Sequence, residues 1–250
     1  MKVIKRFLRR KAARLGLWLI KSGSHLRKED FIEITDQRII DPRNKDCPIK
    51  VIFDIGANIG QSTLAYHRSF PTALIYSFEP FEENFLKLSS STKGLPNVKC
   101  FQKALSNTSG KLKVFRDQFY ESELNSLEPF KQSLLEKSGC ASSEVISLLR
   151  GDELCRQEKI DFIDILKTDT EGHDISVLEG FSDMLDSKRV GTIIIECGFL
   201  DDTTHTPFES VYEFLRSRGM KLAGFYETSH EINGRCRYSN ALFHQSLSRN

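Results

Sequence analysis

VIFDIGANIGQST, Val51 to Thr63, opens as an apolar run, closes that run in Asp54, and passes through Gly56, Asn58 and Gly60 into residues suited to a helix. A buried strand that turns through glycines into a helix places a ligand turn at the strand's carboxyl end. Glycine lets the backbone approach a bound molecule closely, and the free N–H groups at the helix start bind polar or anionic atoms. An ordinary tight strand-to-helix connection gives the same local pattern, so residues further along must separate the two readings.

Outward from this turn, apolar strands alternate with amphipathic helices, the pattern of an open, mostly parallel sheet covered on both faces. Strands are predicted over Lys50 to Asp54, Ala73 to Glu79, Val98 to Gln102, Phe162 to Thr168, Val190 to Glu196, Lys221 to Tyr226 and Tyr238 to Phe243. Helices are predicted over Gln61 to Ser69, Phe81 to Ser90, Asp174 to Leu185 and Pro207 to Arg218. The last is the clearest, with Phe208, Val211, Tyr212 and Leu215 on one face behind a Thr206 cap and Pro207 in the first turn. Asn107 to Arg150 has no such pattern beyond Gly110-KLKVF, which suggests an added strand within a substrate-covering insertion.

The second strand, ALIYSFEP, ends in Glu79, about 20 residues past the glycine turn, where a carboxylate accepts hydrogen bonds from both ribose hydroxyls. That pairing indicates an adenosine-containing ligand. Gly56-Ala57-Asn58-Ile59-Gly60 lacks the G-x-G-x-x-G spacing that cradles a pyrophosphate, and Asp54 would repel one. Asp54 instead suits an ammonium group such as that of a methionine moiety. A nicotinamide-dependent oxidoreductase is therefore disfavoured.

The ordered motifs DIGANIGQS, FEP, ALSNTSG, LKTDTEGHDISVLEG and IIIECG resemble the FkbM family of O-methyltransferases over about Ile49 to Phe243. The resemblance implies a Rossmann-like class I methyltransferase fold, α/β with a mostly parallel seven-stranded sheet and helices on both faces. It further implies S-adenosylmethionine as cofactor, with Asp54, Gly56, Asn58 and Gly60 around the methionine part, Glu79 on the ribose and Ala104 near the adenine. The acceptor it implies is a hydroxyl of a sugar, glycan or related metabolite. Asp174 stands where the family more often has Glu, and His173 occupies a variable position.

Chemistry is expected at Leu166 to Asp174, the end of the fourth strand, because methyl transfer needs an aligned hydroxyl and a group to take its proton. Asp169, Glu171 and His173 are the candidate acceptors. Capping of the following helix explains Glu171 and Asp174 equally well, and a satisfied helix-start histidine explains His173. Asp169 has the strongest functional case, as a charge on a strand buried on both faces. Glu196 repeats the pattern on the next strand. Asp169 and Glu196 together could bind Mg²⁺, orient substrate hydroxyls or serve as structural ties. A catalytically silent adenosine-binding module shares the glycine turn, but carrying Asp169, Glu171 and Glu196 favours an enzyme.

The remainder of the chain bounds the reading. At 250 residues and 39% hydrophobic content it is long enough for a full α/β core, and a net charge of +2 is too small to imply a nucleic-acid partner. Residues 1–48 form a lead-in to the catalytic domain at 49–250. Within the lead-in, Met1 to Lys21 carry clustered Lys and Arg with Ile4, Leu8, Ala12, Leu15 and Leu19 at helical spacing. That pattern suits a basic amphipathic helix lying on an anionic membrane, where lipid-linked acceptors reside, or packing on the domain. Its longest apolar stretch is too short to cross a bilayer, so a cytoplasmic enzyme with peripheral membrane contact is expected. Cys47, Cys100, Cys140, Cys155, Cys197 and Cys236 lack metal-ligand spacing and read as reduced thiols. Phe119, Tyr120 and the region to Phe130 supply aromatic groups for stacking on a sugar acceptor or for closing a core.

Overall fold

The computed structural model describes residues 49–117, 127, 132–133, 141–200 and 205–245. The basic segment Met1 to Lys21, the aromatics Phe119, Tyr120 and Phe130, and Cys47 and Cys140 lie outside the described residues.

Elements follow one another as β1 (Val51–Ile55), α1 (Gln61–Ser69), β2 (Leu74–Phe78), α2 (Glu82–Ser91), β3 (Val98–Phe101), β4 (Ala104–Ser106), β5 (Gly110–Asp117) and β6 (Ala141–Arg150). Then come α3 (Gly151–Gln157), β7 (Ile163–Thr168), α4 (Asp174–Gly180), α5 (Ser182–Asp186), β8 (Val190–Gly198), α6 (Phe208–Arg216), β9 (Met220–His230) and β10 (Cys236–Gln245). The main sheet has the order β3-β2-β1-β7-β8-β10-β9. Its first five strands run parallel, and β10 runs antiparallel to both β8 and β9.

Helices on both sides explain the unbroken apolar runs, because alternate residues of one strand enter different cores. Phe53 and Ile55 of β1 pack with Ile193, Ile195 and Cys197 of β8 on one face. Ile52 and Ile194 pack with Tyr66 and Phe70 on the other. On the first face Phe53 sits among Tyr76, Phe78 and Phe181, with ring centroids 5.1, 5.6 and 5.6 Å away.

Three differences from the sequence reading have local causes. Asp174 to Leu185 is two helices, because Phe181 is fully buried and Gly180 lies against the Ser106 carbonyl with no room for a side chain. Thr206 does not cap α6: Pro207 is the N-cap, and the Thr206 hydroxyl donates to Asp174 at 3.0 Å. KLKVF does form a strand, but β5 joins a separate sheet of order β4-β6-β5. Its partner β6 shows little alternation of character in sequence, since Val145 is 64% exposed while Ile146 is buried. Among the described residues, no helix is long and apolar enough to cross a membrane.

Candidate active site

The parallel register of β1 and β7 sets Asp54 beside Lys167. Lys167 Nζ lies 3.6 Å from Asp54 Oδ1 and 3.2 Å from Asp169 Oδ2. Its other neighbour fixed, Asp54 accepts from Thr63 Oγ1 at 2.6 Å, and that hydroxyl meets Ser77 Oγ of β2 at 2.8 Å. Burial raises the Asp54 carboxyl above its ordinary value, opposed by Lys167 and the Thr63 hydroxyl. Burial alone would lower the Lys167 ammonium, but the Asp169 and Asp54 carboxylates outweigh it and hold the group charged. Asp54 is fully buried, so its side chain organises the strand end, while Asp169, with 34% of its side chain exposed, faces outward from it. Lys167 had no role in the sequence reading; a basic residue inside the buried LKT strand was the available signal.

Glu79 closes the neighbouring loops on each other. Its Oε2 accepts from Asn58 N and its Oε1 from Phe81 N, each at 3.0 Å, and the residue is buried. Gly56 adopts φ +76°, and a Cβ there would stand 1.9 Å from the Asp169 carbonyl oxygen. Gly60 adopts φ +98° as the N-cap of α1, where a Cβ would meet Ser91 Oγ at 2.8 Å. These glycines are thus required by neighbouring protein backbone and side chains, which is a tighter constraint than room for a ligand. Asn58, at φ +50°, completes the turn. Ala104, buried, starts β4 at the edge of the smaller sheet.

Beyond β7, Asp174 ties the chain together. Its Oδ1 accepts from Thr168 Oγ1 at 2.7 Å, Thr170 Oγ1 at 2.9 Å and Thr170 N at 3.1 Å, while Oδ2 accepts from Thr206. Thus it fixes the turn that carries Asp169 and anchors the approach to α6. His173 is the N-cap of α4, and its Nε2 meets Ser106 Oγ of β4 at 3.0 Å, joining the two sheets. Glu171 lies in the left-handed region at φ +54° and groups with Glu196 and His205.

Glu171, Glu196 and His205 each place one ligating atom within 4.8 Å of the other two. Glu196 Oε2 is 3.4 Å from His205 Nε2, and the imidazole stacks on Tyr238 with centroids 4.5 Å apart. Gly198 backs this ring, since a Cβ there would come 3.0 Å from His205 Cβ. Burial, and then the Asp169 and Glu171 carboxylates, push the Glu196 carboxyl well above the usual range. The expected pairing of Asp169 with Glu196 is therefore redistributed: Asp169 is held by Lys167, and Glu196 groups with Glu171 and His205. No periodicity marks His205 in the sequence, because a loop residue is brought to β8 by tertiary packing alone.

A seven-stranded sheet of this order, with carboxylates gathered at the carboxyl ends of β1, β2, β7 and β8, is a Rossmann-like methyltransferase fold. Residues 54–222 match the model of the methyltransferase FkbM domain, and the chain belongs to that family. It is similar to hexuronic acid methyltransferase AglP of Haloferax volcanii, 27% identical over 149 residues that make up 59% of this chain and 56% of that protein. It is also similar to methyltransferase sdnD of Sordaria araneosa, 28% identical over 155 residues, or 52% of this chain and 59% of that one. The chain thus spans a little over half the length of these relatives. Among solved structures, the METTL16 MTase domain shares the fold with a TM-score of 0.50 at 12% identity, over 87% of this chain and 67% of that one.

Proposed function

We propose that the protein transfers the methyl group of S-adenosylmethionine to a hydroxyl oxygen of a sugar, with hexuronic acids the first acceptor class to test. The observation that carries the reading is the charge layout of the crevice. Glu79 and Asp169 stand past the ends of β2 and β7 beside the buried Asp54, and Lys167 is engaged with Asp54 and Asp169. Such a surface fits a ligand bearing an ammonium and a sulfonium and disfavours a pyrophosphate. The acceptor class is suggested by the similarity to AglP, whose name gives a hexuronic acid as its substrate.

The bound cofactor supplies an electrophilic methyl group. Glu79, held rigid by Asn58 N and Phe81 N, retains lone pairs for the ribose hydroxyls. The Asp54 to Gly60 turn, made rigid by N–H bonds from Gly56 and Ala57 to Phe78 O and from Asn58 to Glu79, would hold the methionine end, and Asp54 keeps Lys167 in place behind it. Ala104, at the start of β4, would flank the adenine. Asp169, paired with Lys167, orients the acceptor hydroxyl and takes its proton as the new O–C bond forms. The C–S electron pair stays on sulfur, leaving the thioether. His173 is occupied with Ser106 and serves to place the loop.

Incubating the full chain with methyl-labelled S-adenosylmethionine and a panel of hexuronic acids, neutral sugars and lipid-linked glycans tests the proposal. Label on a sugar oxygen is expected; cofactor binding without label on any acceptor points to a different substrate class, and NAD binding in its place overturns the cofactor assignment.

A further inference from the structure

We propose that Glu171, Glu196 and His205 form a divalent-cation site on the acceptor side of the crevice, which takes a manganese-class ion. The inference deepens the sugar-methylation reading and rests on it for the ion's purpose, although not for its binding.

Three donors arrive from three separate segments: the loop after β7, the end of β8 and the approach to α6. Their ligating atoms lie within 4.8 Å of one another. Two donors on opposite sides of one ion, with bonds of about 2.2 Å each, stand about 4.4 Å apart, so small side-chain adjustments close the set. All three side chains are partly exposed, which leaves coordination positions for water or substrate oxygen. The set is also already oriented. Stacking on Tyr238 and contact with Gly198 fix the His205 ring, and Asp174, through Thr170 and Thr206, ties down both flanking segments.

Charge supplies an independent reason. Glu171 and Glu196 share this corner with the carboxylates of Asp169 and Asp174. Lys167 lies within ion-pair distance of Asp54 and Asp169 and only partly offsets the acids around Glu196. An anionic sugar entering such a corner meets the carboxylates of Asp169, Glu171 and Asp174. A divalent ion held by the triad reverses that sign and binds the acceptor's carboxylate or hydroxyl oxygen, which also makes the hydroxyl easier to deprotonate. The mixed oxygen and imidazole set favours Mn²⁺ over Mg²⁺, which prefers oxygen ligands throughout.

The test is titration of the metal-stripped full chain with Mn²⁺, read by loss of the free-ion electron paramagnetic resonance signal. Calorimetry with S-adenosylhomocysteine is run on the same samples. One Mn²⁺ per chain is expected, with binding weakened at least about tenfold in Glu171→Gln and His205→Ala, the lower end of what even an outer-shell substitution costs a metal site. S-adenosylhomocysteine affinity should stay unchanged in both, as should the circular dichroism spectrum. If either variant fails to fold, a Mn²⁺-dependent rise in the parent's melting temperature that is absent from the other variant carries the same information. Absence of Mn²⁺ binding in a chain that binds S-adenosylhomocysteine overturns the site and leaves the methyltransferase reading standing. So does binding of equal strength in both variants, which puts the ion elsewhere. Mn²⁺ binding without any S-adenosylhomocysteine binding supports the site and removes the reading on which its purpose rests.

Discussion

Two charged clusters share the carboxyl edge of the sheet and are built on opposite principles. Asp54, Lys167 and Asp169 lie at the ends of β1 and β7, with Asp54 fully buried and the Lys167 side chain 5% exposed, and the cation sits between the two acids. Glu171, Glu196 and His205, after β7 and on the adjacent β8 and its following loop, are partly exposed and place two acids beside one imidazole. A buried charge is tolerated when its counter-charge is built in, whereas an open cluster of like charges is a place for a ligand to supply one. The contrast teaches that the Asp54, Lys167 and Asp169 half is finished by folding, while the other half gathers metal-ligating groups from three separate segments.

The hardest way to break the finished half is Lys167→Met, which leaves Asp54 buried without its cation. A loss of about 3 to 5 kcal/mol in unfolding free energy is expected, the range for removing one partner of a buried pair. The pH dependence has a definite sign. Burial already holds Asp54 above its ordinary 3.8, and losing Lys167 raises it further, so the folded variant keeps a proton that the unfolded chain has released. Stability of the variant then falls as pH rises above about 4, and its deficit against the parent should be larger at pH 8 than at pH 5 in denaturant titrations. A deficit that shrinks with rising pH would contradict the ion-pair account.

Asp169→Asn sharpens the comparison at the boundary between the halves. The substitution keeps the side chain's size and its place beside Lys167 but removes its capacity as a base. A fall in kcat on the order of 10²-fold is expected, with S-adenosylhomocysteine affinity little altered. Comparable losses in both quantities would move Asp169 to the cofactor side.

Smaller in effect is Glu79→Ala, which removes the carboxylate joining Asn58 to Phe81. Cofactor affinity measured by calorimetry should weaken by about 1 to 3 kcal/mol, the cost of charged hydrogen bonds, and no change would reject the ribose assignment. The smallest expected effect is at thiols outside both clusters. Burial pushes Cys155 and Cys197 up to about 12, so neither should be alkylated in the native protein at neutral pH. Iodoacetamide labelling followed by mass spectrometry checks this, with denatured protein as the reactive control.

The sequence by itself determined the main sheet and the edge on which ligands gather. Apolar runs such as IFDI and GTIII are local signals, and a glycine turn or a terminal carboxylate is legible wherever such a run stops; Val51–Ile55 and Gln61–Ser69 lie where the pattern put them, the helix to the residue. Carboxylates were harder, because Asp164, Asp174 and Asp169 look alike in sequence. Asp164 accepts from Lys50 N and Val51 N at the opposite end of β1, and Asp174 binds four donors as a structural tie. Asp169 alone of the three leaves the buried strand partly exposed beside a cation. Only the tertiary structure decided those roles, along with the splitting of the helix at Phe181, the pairing of β5 with β6, and the arrival of His205 beside Glu196. Each depends on a partner distant in the chain, and local periodicity records which face a residue takes but not which distant group that face will meet.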